Sequence, residues 1–139
     1  MKVYLEPKAL PIEYAHEQDA GIDLRSPIDT AVLPRSSVII DTGVHVQIPH
    51  RCAGLLVSKS GLNVKNSITS TGLIDEGYTG AITVKLYKSG DDIHHIQRGD
   101  KITQLVVLPV EHVGIHFVSD LKEFGWTERG NKGFGSTGR

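Results

Sequence analysis

Apolar residues recur along this chain with a period of two and almost nowhere with a helical period. Val44, Val46 and Ile48 alternate with His45 and Gln47; Ile82, Val84 and Leu86 alternate with Thr83 and Lys85; Val113, Ile115 and Phe117 alternate with Gly114 and His116. Successive side chains of a strand point to opposite faces, so each of these runs predicts a half-buried strand. Residues 38–40, 54–57 and 102–108 form more continuous apolar runs, which predict strands covered on both faces. Between the runs lie turn clusters such as Ser26-Pro27, Pro49-His50, Ser89-Gly90-Asp91-Asp92 and Arg98-Gly99-Asp100. Many short strands at close spacing predict an all-β sandwich or barrel of the jelly-roll kind, without linkers or internal repeats. At most one short helix is expected, at residues 60–65, with Ser60 as its N-cap.

The pattern stops near the C-terminus. Residues 129–139 contain four glycines and a single apolar side chain, Phe134. Such a segment cannot build a core, so the chain divides into a β-domain over 1–128 and a flexible Gly-rich arm over 129–139 that orders on closing over something. Arg129 and Arg139 bring cations to the arm, Ser136 and Thr137 bring hydroxyls, and the glycine amides can wrap phosphate oxygens. Phe134 is suited to stacking on a flat ring. Residues 133–138 match GxGxxG, but the dinucleotide motif needs a helix after it, and only Arg139 follows.

Composition narrows the partners. The chain has 139 residues, enough for one domain with a real core. With 15 Lys+Arg against 16 Asp+Glu it lacks the basic excess that holds a long nucleic acid, so any nucleic-acid link is expected to be to a small nucleotide. Cys52 has no intramolecular partner and reads as a small core residue; the first residues lack a signal-peptide pattern, and no run approaches a membrane span. These features predict a cytoplasmic protein. His112 and His116 are four apart, but on a strand pattern that spacing does not make a zinc site. Trp126 is expected as a packing anchor.

The stretch richest in chemistry is residues 72–80, Gly-Leu-Ile-Asp-Glu-Gly-Tyr-Thr-Gly. Gly72, Gly77 and Gly80 are expected to supply positive φ or close approach, so that the turn displays Asp75 and Tyr78 over one small pocket. Four other segments carry similar chemistry: residues 19–24 (Asp-Ala-Gly-Ile-Asp-Leu), 58–62 (Ser-Lys-Ser-Gly-Leu), 99–105 (Gly-Asp-Lys-Ile-Thr-Gln-Leu) and the arm. In this order and spacing the five segments resemble the motifs of the trimeric dUTP pyrophosphatases, the dUTPases, over essentially the whole chain.

The resemblance implies a jelly-roll homotrimer that hydrolyses dUTP to dUMP and pyrophosphate with Mg²⁺, keeping uracil out of DNA and supplying dUMP for thymidylate synthesis. Each active site would borrow residues from several subunits. Asp75 would be the general base that activates the water attacking the α-phosphorus, since a carboxylate is ionised at neutral pH and can accept a proton. Tyr78 would lie against the deoxyribose and exclude a 2′-hydroxyl. Backbone groups from Thr69 through Gly72, Leu73 and Ile74 would read uracil, and Phe134 would cover it. Lys59, Ser60, Gly61 and Gln104 would hold phosphates, with Arg129, Gly135, Ser136 and Thr137 closing on the β- and γ-phosphates. Asp23 would hold a water of the magnesium from its outer shell. The chain departs from the family at Lys59, where arginine is more usual, at Thr69, where asparagine is frequent, and at Gly77, where many members carry a second aspartate. Alternative readings are a dCTP deaminase-like enzyme on the same fold and a dUTP-responsive regulatory binding protein.

Overall fold

The computed structural model describes residues 1–133. Nine strands follow in chain order: β1 (Lys2–Leu5), β2 (Ile22–Arg25), β3 (Thr30–Val32), β4 (Ser37–Gln47), β5 (Cys52–Val57), β6 (Ile68–Ile74), β7 (Ala81–Lys88), β8 (His94–Ile96) and β9 (Lys101–Pro109). One helix, α1 (Ser60–Asn66), lies between β5 and β6, and a 3-10 turn covers Leu121–Phe124. Seven strands pair in the order β1-β4-β7-β6-β5-β9-β2, and β3 pairs with β8. All the strand pairs are antiparallel. This is the all-β jelly-roll architecture expected from the alternation.

The core is aliphatic. Ile22, Leu24, Ile40, Val44, Val46, Leu56, Ile68, Ile82, Val84, Leu86, Ile102 and Leu105 are among the buried residues of one cluster, and partly buried Cys52 and Leu62 pack against it. β7 follows the period-two reading throughout, with Ile82, Val84 and Leu86 inside and Thr83, Lys85 and Tyr87 outside. Branched side chains suit the pleated surface, which is why so few aromatics are needed to fill the interior.

Two features of the sheet place the functional segments. β6 changes partner halfway: Ile68, Thr69 and Ser70 pair with Lys88, Tyr87 and Leu86 of β7, whereas Thr71–Ile74 pair with Val57–Gly54 of β5. The β6–β7 hairpin therefore opens before its turn. β4 carries a bulge between Asp41 and His45, where Gly43 takes φ +63° and the buried Thr42 hydroxyl donates to the Ile82 carbonyl at 2.7 Å. A bulge of this kind bends a strand and re-aims the side chains beyond it.

Several expectations change. Residues 113–117 alternate but form no strand, and Phe117 is 97% exposed, because no other strand lies alongside to pair with them. Trp126 is likewise exposed instead of anchoring the end of the domain. In the run 38–40 only Ile40 is buried and Ile39 faces out, so a continuous apolar run here marks a half-covered strand. Leu108 in the run 102–108 is also exposed. Ser60 is the first helical residue of α1, not its cap. The cap position is Lys59, which is extended and makes no side-chain cap bond.

Candidate functional site

Two ends of the β5–β6 pair hold the predicted site residues. At one end Asp23 of β2 is fully buried, with Lys59 Nζ donating to its Oδ1 at 2.5 Å and Lys101 Nζ 2.6 Å from its Oδ2. Burial alone would push the Asp23 carboxyl up, but the hydrogen bonds and charges of Lys101 and Lys59 together outweigh it and hold the group below the usual carboxylate range. Each oxygen of the buried carboxylate thus faces one lysine ammonium.

Gln104 stands at the same level, opposite Asp23 in β2 and Val57 in β5. Its half-buried side chain lies so close to Gly21 that a Cβ there would meet Gln104 Cβ at 2.9 Å. Hydroxyls tie the strand ends together: Ser70 and Thr103 are 2.8 Å apart, Thr103 donates to the Val57 carbonyl at 2.9 Å, and Ser58 donates to the Ser70 carbonyl at 3.1 Å. The charged socket is thus built on a rigid base. Ser60 and Gly61 emerge from it exposed, at the start of α1. Buried Lys88 donates to the Asn66 carbonyl at 2.8 Å, a cation at the helix C-terminus, and holds that end.

The other end is the turn after β6. Tyr78 N donates to the Asp75 carbonyl at 3.0 Å, which closes the turn, and the Tyr78 hydroxyl donates to the Ala81 carbonyl at 2.9 Å. Asp75 is exposed and Tyr78 half exposed. The glycines act differently from the expectation. Gly72, Gly77 and Gly80 are absent from the positive-φ positions, and at Gly80 a Cβ would land on the Tyr78 hydroxyl and ring, so any larger residue pushes that ring aside. Glu76, inside the turn, accepts from Arg51 N at 2.9 Å and lies 2.8 Å from His50 Nδ1, both in the β4–β5 connection. The His50 contact first, and the Arg51 amide second, hold the Glu76 carboxyl below its usual range.

Register fixes the distance between these ends. Ile74 pairs with Gly54 and Thr71 with Val57, so Asp75 lies beyond one end of the β5–β6 ladder and Lys59 beyond the other. The six steps along the chain from Thr69 to Asp75 span about 20 Å at roughly 3.3 Å per residue. One chain therefore brings together Asp23, Lys59, Lys101 and Gln104, and separately Asp75 and Tyr78, but not the two groups. Thr69 is exposed near the lysine end, while Gly72, Leu73 and Ile74 lead into the turn. Arg129 is exposed, with Nε donating to the Lys132 carbonyl at 3.2 Å. Phe134, Gly135, Ser136 and Thr137 lie outside the described residues. Sequence reasoning missed Lys101, His45 and the His50–Glu76 contact; only the Gly-Asp-Lys segment around Lys101 carried a signal.

Among the described residues no group of three or more His, Cys, Asp or Glu is arranged to hold a metal directly, and no helix is long and apolar enough to cross a membrane. Asp23 Oδ2 is buried against the Lys101 ammonium at 2.6 Å, so a water of a hydrated cation reaches this carboxylate only when a lysine swings away from it.

A curled antiparallel domain with chemistry at the ends of its strands defines a jelly-roll protein. The chain belongs to the dUTPase family, whose model matches residues 8–138. It is 44% identical over 128 residues to the deoxyuridine 5′-triphosphate nucleotidohydrolase of Clostridium kluyveri, covering 90% of this chain and 87% of that protein. It is 37% identical to the enzyme of the same name from Clostridium tetani, covering 100% and 95%. Among solved structures, the Staphylococcus bacteriophage 80alpha dUTPase with dUpNHpp superposes with a TM-score of 0.90 at 29% identity, covering 99% of this chain and 98% of that one. A mutant dUTPase from phage phi11 of S. aureus, described with a structural Mg(II) ion, gives a TM-score of 0.80 at 27% identity over 87% of this chain and 97% of that one.

Proposed function

We propose that this chain hydrolyses dUTP to dUMP and pyrophosphate, with the nucleotide lying between the Asp75 turn and the Asp23–Lys59–Lys101 socket. The observation that carries this reading is the opening of the β6–β7 hairpin just ahead of the turn. Where the two strands part, the backbone groups of the Gly72–Ile74 stretch that point away from β5 are available to read the edge of a flat base, and Tyr78 stands at the mouth to meet the sugar. Exposed Asp75 accepts a proton from the attacking water as the oxygen of that water bonds to the α-phosphorus and the bond to the β-phosphate oxygen breaks, with pyrophosphate leaving.

The phosphates go to the other end. Two lysines on one carboxylate leave a net positive socket, and Lys59 can turn from Asp23 toward a polyanion, with Ser60, Gly61 and Gln104 beside it. Mg²⁺ bound with the nucleotide would supply charge neutralisation there, and Asp23 would hold one of its waters once a lysine turns from the carboxylate to the phosphates. Arg129, Gly135, Ser136, Thr137 and Phe134 of the arm complete the closure, the first four on phosphate and Phe134 over uracil.

Because the two ends lie about 20 Å apart along one strand pair, a complete site combines the turn of one copy with the socket of another. A homotrimer meets this requirement with three equivalent contacts. The exposed apolar residues Val113, Ile115 and Phe117 give such an assembly surface to bury. Incubation with dUTP and Mg²⁺ tests the function: pyrophosphate and dUMP are expected. Absence of pyrophosphate release from dUTP overturns the reading, and ammonia release from dCTP supports the deaminase alternative.

A further inference from the structure

His45 lies on β4 just past the bulge, paired with Ala81 of β7 and Tyr4 of β1. The bend carries its ring to the catalytic turn, where Nδ1 is 2.8 Å from the Thr79 carbonyl oxygen and Nε2 is 3.1 Å from Glu6 Oε1. The Tyr4 ring packs edge-on against it at 5.4 Å. Glu6 is itself seated by the same bulge, since Glu6 N donates to the Gly43 carbonyl at 2.9 Å.

A backbone carbonyl and an ionised carboxylate can only accept hydrogen bonds. To satisfy both, both ring nitrogens must donate, and only the imidazolium does so. A neutral His45 keeps one of the two contacts and loses the other. Thr79 is the residue after Tyr78, and Gly80 carries the Tyr78 ring against it. Whatever fixes the Thr79 carbonyl therefore fixes where Tyr78 stands. The opposite side of the turn is held independently, by Glu76 on Arg51 N and His50.

We propose that His45, as an imidazolium bridging Glu6 and the Thr79 carbonyl, is a positioning residue that holds Tyr78 in its sugar-facing place, so that dUTP binding weakens as His45 loses its proton. The inference rests on the reading of Tyr78 as the sugar contact. The groups facing His45 are the Thr79 carbonyl from the turn, Glu6 and Tyr4 from the β1 side, and Asp41 from β4, with Lys2 on the wall of the same cavity as an opposing charge. The Thr79 hydrogen bond first, then Glu6, raise the His45 imidazole above its ordinary 6.5, against a smaller effect of burial. The direction follows: the bridge is complete at low pH and is lost as pH rises through the raised value.

The test measures KM and kcat for dUTP with Mg²⁺ on the full chain from about pH 6 to about pH 9, alongside the His45 titration followed by NMR of its ring protons. Relative to wild type, His45→Gln is expected to raise KM about fivefold at the acid end, the worth of one hydrogen bond, and to match wild type at the alkaline end, with kcat little changed. Taking the ratio of variant to wild type removes the titration of the nucleotide itself. Glu6→Gln is expected to move the NMR midpoint and the KM midpoint down together, and it decides the matter should His45→Gln fail to fold. A KM profile that is indifferent to His45, or that stays put when Glu6→Gln moves the NMR midpoint, overturns the inference while leaving dUTP hydrolysis intact. Absence of dUTP hydrolysis in wild type overturns the underlying reading instead.

Discussion

The socket around Asp23 and the turn around Asp75 each present a carboxylate, yet they are built in opposite ways. Asp23 is fully buried, clamped by two lysines and set on strands cross-tied by Ser58, Ser70 and Thr103. Asp75 is exposed in a six-residue connection, and contacts from β4 and from the β4–β5 connection hold Thr79 and Glu76, which follow it in the turn. A buried carboxylate needs compensating cations and becomes a fixed charge centre, whereas an exposed one remains free to take a proton from water. The division suits phosphate binding at one end and water activation at the other.

The comparison breaks most decisively at Asp75. Asp75→Asn keeps the shape of the turn and removes the carboxylate proposed as the base, so dUTP turnover is expected to fall about a thousandfold while nucleotide binding, measured by calorimetry, persists. Turnover within tenfold of wild type would assign water activation elsewhere. At the socket the expected effect is on folding: Lys101→Ala should lower unfolding stability by about 2–3 kcal/mol in denaturant titration, less than for a lone buried pair because Lys59 remains. An unchanged midpoint would mean that Asp23 does not need its second cation. Gly80→Ala forces the Tyr78 ring aside, and KM for dUTP should rise about tenfold, with a smaller change in kcat.

The smallest effect is the most informative about assembly. Lys59→Ala and Asp75→Asn damage opposite ends, and each alone should be poorly active. If the ends of different copies meet, unfolding and refolding the two variants together in equal amounts restores about a quarter of wild-type activity, because random mixing leaves that share of head-to-tail contacts intact on both sides. No recovery in the mixture would place both ends of a working site on one chain.

The alternation along β7 is legible because every second residue from Ile82 to Leu86 is buried, and the Ser60–Lys65 stretch is helical as its composition suggests. The same alternation at Val113, Ile115 and Phe117 yields no strand, since a strand exists only with a partner to take its hydrogen bonds. Apolarity at Ile39 says that a strand is present, not which face another layer covers. Asp75 and Tyr78 are visible as a pair because they lie three positions apart in one turn. Lys101 is hidden because its partner Asp23 is remote in sequence, and His45 because it resembles any polar residue on an alternating strand until a bulge turns it to Thr79.

Sequence alone therefore determined the all-β class, the five segments and the chemistry each can offer, because side-chain period and local composition act over a few residues. Tertiary structure decided where the segments stand. Strand pairing is a long-range choice of partner and register. That choice sends β6 from β7 to β5, places Lys59 and Asp75 at opposite ends of one ladder, buries Asp23 between two lysines, and brings His45 to the turn.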